Sequence, residues 1–435
     1  MVGNLKPHSQ KATIIGGGIS GLLAGYYLTR SGYHVEIFEA GPRWGGLIRT
    51  RSTPRGIAEE AAHSLLVTPE VSTLFRELNI PLLEVTPSSK SRWIVRKGKM
   101  RRMPLSLLEI IGAFFRAAFV RSQPNEKLTL AHWAERHLGK PALNYLIDPM
   151  LKGIFGASPQ EILVTPAFPA LSIPHGRTLL GHFIRRWLGL ASQVTAQPKS
   201  KMMSPREGME SLVHGIVSYL EKQPNAHLHL NHAIETLPQA ENLILAVPPQ
   251  KAAQLLESVD PRLAAALRGL QWSSLITTTV FLEKIRLQKI PDGVGVLMPS
   301  SENRKCLGIL FNSSSFDGRV IDPENWVSLT VICGNGPKEE ASDESVLKQI
   351  QDELENLFGW SGPIEHYAMT RWPKAIPIYN HPLVQALALA QTQWCSQPGQ
   401  ILVGNYTGEV SIRGMIQSTA VRFGHPNKLL SVGSK

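Results

Sequence analysis

The sequence predicts an α/β protein: a parallel, nucleotide-binding sheet assembled from separated segments of the chain, beside a mixed-sheet domain and an inserted helical region. Three observations predict it. A β–α–β unit with glycines at its first turn opens the chain at "KATIIGGGISGLLAGYYLTRSGYHVEIFEA". Helical patterns punctuated by prolines then dominate from about Ser91 to Leu190. Strand-like segments rich in β-branched residues return after Gln271, and a last apolar strand, "ILVGN", precedes a terminal helix.

Thr13–Ile15 reads as a short buried strand, the helix starts within the glycines and ends near Ser31, and His34–Glu39 is the second strand. Gly16, Gly18 and Gly21 form GxGxxG: the first permits the tight turn, the second lets backbone approach a pyrophosphate, and the third allows close helix–sheet packing. Glu39 ends the second strand, where a carboxylate accepts ribose hydroxyls. NAD and FAD both satisfy this pattern. Just downstream, "GPRWGGLIRT" places Gly45 and Gly46 in a second flexible turn, with Arg43 and Arg49 beside it, as a long extended cofactor requires. No second GxGxxG follows for a nicotinamide cofactor.

In the middle, "TLAHWAERHL" and "PALNYLIDPMLKGIF" are helical patterns, with Pro141, Pro149, Pro159, Pro166 and Pro169 punctuating them. "HLHLNHAIETL" and "NLILAVPP" return to strands, the second uniformly apolar as in a parallel sheet covered on both faces. "SLITTTVFL", "GVGVLMP", "CLGILFN" and "WVSLTVICG" predict a second, largely antiparallel sheet, followed by a helix over Asp343–Leu357. The nucleotide-binding domain is thus expected at 11–90, 204–270 and 395–431, a helical region at 91–203, and a substrate domain at 271–394.

With 435 residues, 43% hydrophobic and 18% charged, the chain is long enough for two or three structural units. Its formal charge of +11 suits an anionic partner, and charge alone does not choose among phospholipid, nucleic acid and polycarboxylate. Basic runs interleaved with aromatics are lacking, so nucleic acid is not expected. Cys306, Cys333 and Cys395 form neither a disulfide framework nor a CxxC motif; a reducing, cytoplasmic setting and no metal are expected. "MVGNLKPHSQ" lacks the apolar core of a secretory signal.

The longest apolar stretch, Pro104–Arg121, runs for about sixteen residues and carries Glu109 and Arg116, short of the roughly 20 apolar residues of a spanning helix. A run of this length favours burial, lining a substrate pocket or the core. The other reading is an interfacial helix, giving peripheral contact through 104–120 with the inner face of an anionic membrane.

Longer segments are more specific than the glycine fingerprint. "GVGVLMPSSENRKCLGILFNSSSFDGR", "TRWPKAIPIYN", "YLIDPMLKGIFGASPQEI", "REGMESL" and "VGNYTGEVSIRGMIQSTA" resemble the oxygen-dependent protoporphyrinogen oxidase family, within the flavin-containing amine oxidase superfamily. The likeness runs from Lys11 to about Arg422. It implies FAD on a Rossmann-like domain of separated segments, with Gly45 and Gly46 against the diphosphate and ribityl region. It further implies that Gly404, Asn405, Gly408, Val410 and Ser411 approach the isoalloxazine, that Trp372 stands next to it, and that Val247 lies on the adenine side. Arg101, in "KGKMRRMP", matches a residue that meets a substrate propionate, and Gly153 a glycine beside the pocket. The implied reaction is oxidation of a porphyrinogen, protoporphyrinogen IX or coproporphyrinogen III, to a porphyrin in three two-electron steps, with oxygen as acceptor and the flavin carrying the chemistry. No catalytic side chain is assigned.

The chain departs from that family at Ala61, at Phe155 and Gly156, and at Glu409 and Ser411, changes expected to narrow the pocket or alter the flavin environment. Read from residues alone, Arg101 and Arg102 are either a solvated pair or carboxylate binders aided by Lys97 and Lys99. Trp372 and Tyr379 suit a core as well as a site, and His63, three residues past Glu60, suits a local hydrogen bond better than a general base. An oily pocket is expected between the 104–120 helix and the 271–332 sheet, with arginine at its rim. Two rival functions remain: a flavin amine oxidase or polyene desaturase, in which Tyr406 joins an aromatic cage, and a non-catalytic porphyrin-binding carrier. The oligomeric state is open.

Overall fold

The structure is a computed structural model describing residues 4–6, 9–87, 89, 91–123, 128–188, 200–289, 292–334 and 341–424. The expected helical stretch at 189–190 and the expected nucleotide-binding segment at 425–431 lie outside the described residues.

A five-stranded, wholly parallel sheet gathers strands from three distant parts of the chain, in the order Ala226–His229, His34–Phe38, Lys11–Ile15, Leu243–Leu245 and Gln400–Leu402. Parallel neighbours need crossovers, and the helix Ile19–Arg30 supplies the first. Gly21 and Gly25 set its approach: a Cβ on Gly21 would lie 2.0 Å from the Gly16 carbonyl oxygen, and one on Gly25 would lie 2.5 Å from Ile37 Cδ1. Leu22, Leu23, Ile37, Leu212, Ile216, Ile416 and Phe423 are fully buried where helices Ile19–Arg30, Glu210–Glu221 and Ile412–Phe423 pack with this sheet. Each such side chain contributes roughly 1.5–3 kcal/mol on removal from water.

The second sheet has seven strands, in the order His366–Pro377, Trp272–Glu283, Trp326–Gly334, Cys306–Phe311, Gly295–Leu297, Arg92–Arg96 and Lys99–Arg101. All neighbours are antiparallel except Gly295–Leu297 with Arg92–Arg96. Helix Asp343–Phe358 covers it with Val346, Ile350, Leu354 and Phe358, a strict four-residue stripe. Ser342 caps that helix by accepting from Ser345 N, and Gly359 ends it at φ 62°.

Two elements correct the sequence reading. The hairpin 92–101 is strand rather than helix and extends the second sheet. His366–Pro377 pairs with Trp272–Glu283 along its length and forms that sheet's edge, where Pro373 and Pro377 are tolerated.

Helix Leu107–Phe119 has no buried residue: Leu107, Leu108 and Phe119 are 72%, 81% and 73% exposed. This overturns the expectation that it lines a pocket or the core. Its end is fixed by polar contacts instead. Ser106 and Glu109 form a capping box, and Glu109 pairs with Arg96, whose hydrogen bond holds the carboxyl down at about 2. Among the described residues no helix is long and apolar enough to cross a membrane.

Candidate functional site

Four of the residues singled out for the nucleotide follow directly on neighbouring parallel strands. Gly16 and Glu39 come immediately after Lys11–Ile15 and His34–Phe38, and Val247 and Gly404 stand two residues beyond Leu243–Leu245 and Gln400–Leu402. Ligands of open α/β sheets bind at this carboxyl edge.

The first turn is shaped by steric exclusion. Gly16 has φ 109°, and a Cβ there would lie 2.5 Å from the Ala246 carbonyl oxygen. Gly18 N-caps the helix, with no side-chain cap and no acid in the first turn, so the helix supplies no anion of its own to its positive end. A Cβ on Gly18 would meet only Gly46 Cα, at 4.0 Å, leaving the space a diphosphate needs. Gly45 N donates to Gly17 O at 2.8 Å, which brings the two glycine turns together. Arg43 braces the second turn, donating to the carbonyls of Gly46 and Ile48 at 2.6 and 3.2 Å. Glu39 accepts from Gly17 N and Gly41 N, both at 2.7 Å, so its carboxylate is oriented by the loop it serves.

The C-terminal segment folds back against this edge. Tyr379 donates to the Asn405 carbonyl at 3.0 Å, and Tyr406 to the Val247 carbonyl at 3.1 Å. Gly408 has φ 112°, and Ser411 caps helix Ile412–Phe423 by accepting from Gly414 N at 3.0 Å. Val410 is partly buried beside the core. Tyr406 is 1% exposed, a core residue that offers no ring to an amine cage. The carboxyl of Glu409, half buried here, is raised by loss of hydration.

Trp372 and the segment Glu59–Ser64 join the nucleotide edge to the second sheet. Trp372 Nε1 and Thr277 Oγ1 both donate to the Glu60 carbonyl, at 3.1 and 2.9 Å. The Glu60 carboxylate instead pairs with Arg51 at 2.7 Å, and His63 Nε2 is buried with no partner. Glu60 and His63 therefore do not form an acid–base pair.

A cavity of about 520 Å³ is lined by Val85, Ser89, Ser91, Arg92, Arg102, Met202 and Val294. A smaller one, sharing Met202 and Val294, lies among Glu59, His63, Asn312 and Arg319. Neither is bounded by the 104–120 helix, contrary to the expected pocket, because that helix faces outward. Arg101 is exposed and lines neither cavity; Arg92 and Arg102 do, with Arg102 stacked 4.9 Å from the Trp93 ring centroid. The sequence reading missed Arg92, although the alternation in "RWIVR" marks a strand.

Gly153 is exposed and lines neither cavity; a Cβ there would lie 3.1 Å from the Leu297 side chain, so it permits helix Asp148–Phe155 to approach Gly295–Leu297. Phe155 does not narrow either cavity: it is buried against Tyr379, 5.5 Å between ring centroids.

The sequence pattern of the flavin-containing amine oxidoreductases matches residues 19–419. The chain belongs to this family. A dinucleotide cradle in a flavin family means FAD, and the protein is an FAD-dependent oxidoreductase. Among curated relatives, it is 25% identical to a mitochondrial protoporphyrinogen oxidase of Nicotiana tabacum, over 94% of this chain and 93% of that one. It is 22% identical to a coproporphyrinogen III oxidase of Bacillus subtilis, over 84% and 87%. Cyclohexylamine oxidase of Brevibacterium oxydans shares the fold, with a TM-score of 0.68 at 16% identity, covering 97% of this chain and all of that one.

Proposed function

We propose that this enzyme oxidises a porphyrinogen to a porphyrin, with protoporphyrinogen IX or coproporphyrinogen III as substrate and oxygen as acceptor. The observation that carries this reading is near full-length similarity to relatives named for those two substrates. The basic cavity adds to it, since Arg92 and Arg102 suit the carboxylate arms of an apolar macrocycle.

FAD, when bound, accepts two electrons at a time, so removing six hydrogens takes three passes. The protein's own part is holding and orientation. Gly16, Gly18, Gly21, Glu39, Arg43, Gly45, Gly46 and Val247 would hold the nucleotide along the strand ends. Trp372, Gly404, Asn405, Gly408, Val410 and Ser411 would bound the ring. Arg92 and Arg102 would fix the substrate's acidic arms, so that positioning lowers the barrier without a catalytic dyad. In this reading, residues 11–90, 204–270 and 395–424 form the FAD domain, 271–394 together with the 92–101 hairpin the substrate domain, and the helices up to residue 203 the region of substrate or membrane contact.

The exposed helix Leu107–Phe119 supports peripheral contact with an anionic membrane. Helix Leu179–Trp187 adds Phe183, Ile184 and Trp187, with Trp187 85% exposed, and Arg116, Arg121 and Arg185 lie exposed among these apolar groups. Apolar bulk edged by cations suits that surface.

The test is anaerobic mixing of the purified yellow protein with each porphyrinogen. Flavin bleaching together with porphyrin fluorescence is expected. Bleaching by simple amines and by neither porphyrinogen would favour the amine-oxidase alternative, and tight porphyrin binding without bleaching would favour a carrier.

A further inference from the structure

Arg319 is 3% exposed, and among the described residues no carboxylate lies within ion-pair distance of it. Its Nη2 donates to Ser204 Oγ at 2.6 Å and to the Pro205 carbonyl at 3.1 Å; its Nη1 is buried with no partner. A buried guanidinium with only neutral acceptors and one open donor is costly unless something anionic completes it.

Glu59 shares the smaller cavity and attracts Arg319 through space, but makes no hydrogen bond or ion pair with it. Its oxygens accept from Met209 N and Thr50 Oγ1, both at 2.8 Å, and burial pushes its carboxyl up to about 7. His63 Nε2 is the second open group there. Burial, with the Arg319 charge adding to it, lowers that imidazole to about 4, so it is neutral at pH 7 and can donate one hydrogen bond without a charge of its own.

The cavity's volume of about 30 Å³ holds a water or one carboxylate, not a ring. Met202 and Val294 form a wall common to it and to the larger cavity, which presents Arg92 and Arg102. We propose that Arg319 binds one carboxylate arm of the substrate at the inner end of the site, with His63 as the second donor, while Arg92 and Arg102 take another arm at the mouth. The assignment of that arm rests on the porphyrinogen reading above; the carboxylate site itself does not.

Two probes test it on the holoprotein. Sodium formate is expected to raise the melting temperature of the wild type but not of Arg319→Met, and formamide to raise neither. Coproporphyrin III is expected to bind Arg319→Met at least tenfold more weakly than the wild type, with Arg319→Lys in between, FAD content being equal. An equal formate shift in wild type and Arg319→Met, or unchanged coproporphyrin affinity, overturns the proposal. A wild type that shows the Arg319-dependent formate shift yet binds neither coproporphyrin III nor protoporphyrin IX keeps the carboxylate site and overturns the porphyrinogen reading. If Arg319→Met holds no FAD, His63→Phe is the second variant: loss of the formate shift supports the site, and its full retention counts against it.

Discussion

Trp372 donates its indole N–H to the carbonyl oxygen of Glu60 at 3.1 Å. The bond crosses from the edge strand of the seven-stranded sheet to the segment that follows the nucleotide-binding turns. Thr277 Oγ1 reaches the same carbonyl at 2.9 Å, so two adjacent strands fix one peptide of that segment. The segment between the carboxyl edge of the five-stranded sheet and the two cavities is thereby anchored to the seven-stranded sheet.

Gly18→Val is expected to fold but not to retain FAD. The nearest atom to a Cβ at this position is Gly46 Cα, at 4.0 Å, so the protein itself has room for the first added carbon. The added bulk instead occupies the space kept for the diphosphate. Circular dichroism close to wild type with no flavin absorbance is the expected pair of results, and full yellow occupancy would remove Gly18 from the cradle.

Arg92→Ala and Arg102→Ala are each expected to lower kcat/KM for a porphyrinogen, with FAD content unchanged. Losing a charged hydrogen-bonding partner costs about 1.5–3 kcal/mol, roughly ten- to hundredfold. Arg101→Ala, at an exposed position outside both cavities, is expected to stay within about twofold on the same reasoning. Steady-state kinetics of the three variants side by side checks this, and a larger loss at Arg101 would return the role to that residue.

Stability is expected to fall with rising pH through Glu59. Burial raises its carboxyl from 4.5 to about 7. A group with its folded pKa above the unfolded one contributes stability that is fully present below pH 4.5 and lost as pH climbs to about 7. Each unit of the difference is worth about 1.4 kcal/mol. Urea denaturation of wild type and Glu59→Gln across that window is expected to show wild-type stability falling relative to that of the variant, because His63, lowered to about 4, contributes the opposite slope to both. Parallel profiles would show that Glu59 is not the titrating group.

Phe119→Glu combined with Trp187→Glu is expected to reduce co-sedimentation with vesicles containing phosphatidylglycerol several-fold, without changing FAD content. Both side chains are exposed, at 73% and 85%, so the fold has little to lose. Equal sedimentation of variant and wild type would show that these helices do not touch lipid.

The glycine fingerprint, the parallel strands and the helix Asp343–Phe358 were legible because each has a strong local period or a steric requirement. His366–Pro377 was not, since an edge strand with two prolines and a lysine carries no clean alternation. Helix Leu107–Phe119 misled in the opposite way: its apolar run signals burial, and only the fold reveals that none of its residues is buried. Arg319 illustrates a third limit. Burial of a cation without a counter-charge is a property of tertiary packing, and no neighbour in "SFDGRVID" announces it.

The central claim is that FAD lies across the carboxyl edge of the five-stranded sheet. Denaturing the gently purified protein and quantifying the released nucleotide tests it most directly. About one FAD per chain, lost in Gly18→Val, is the expected result. A colourless preparation that takes up no added FAD and releases some other nucleotide would contradict it.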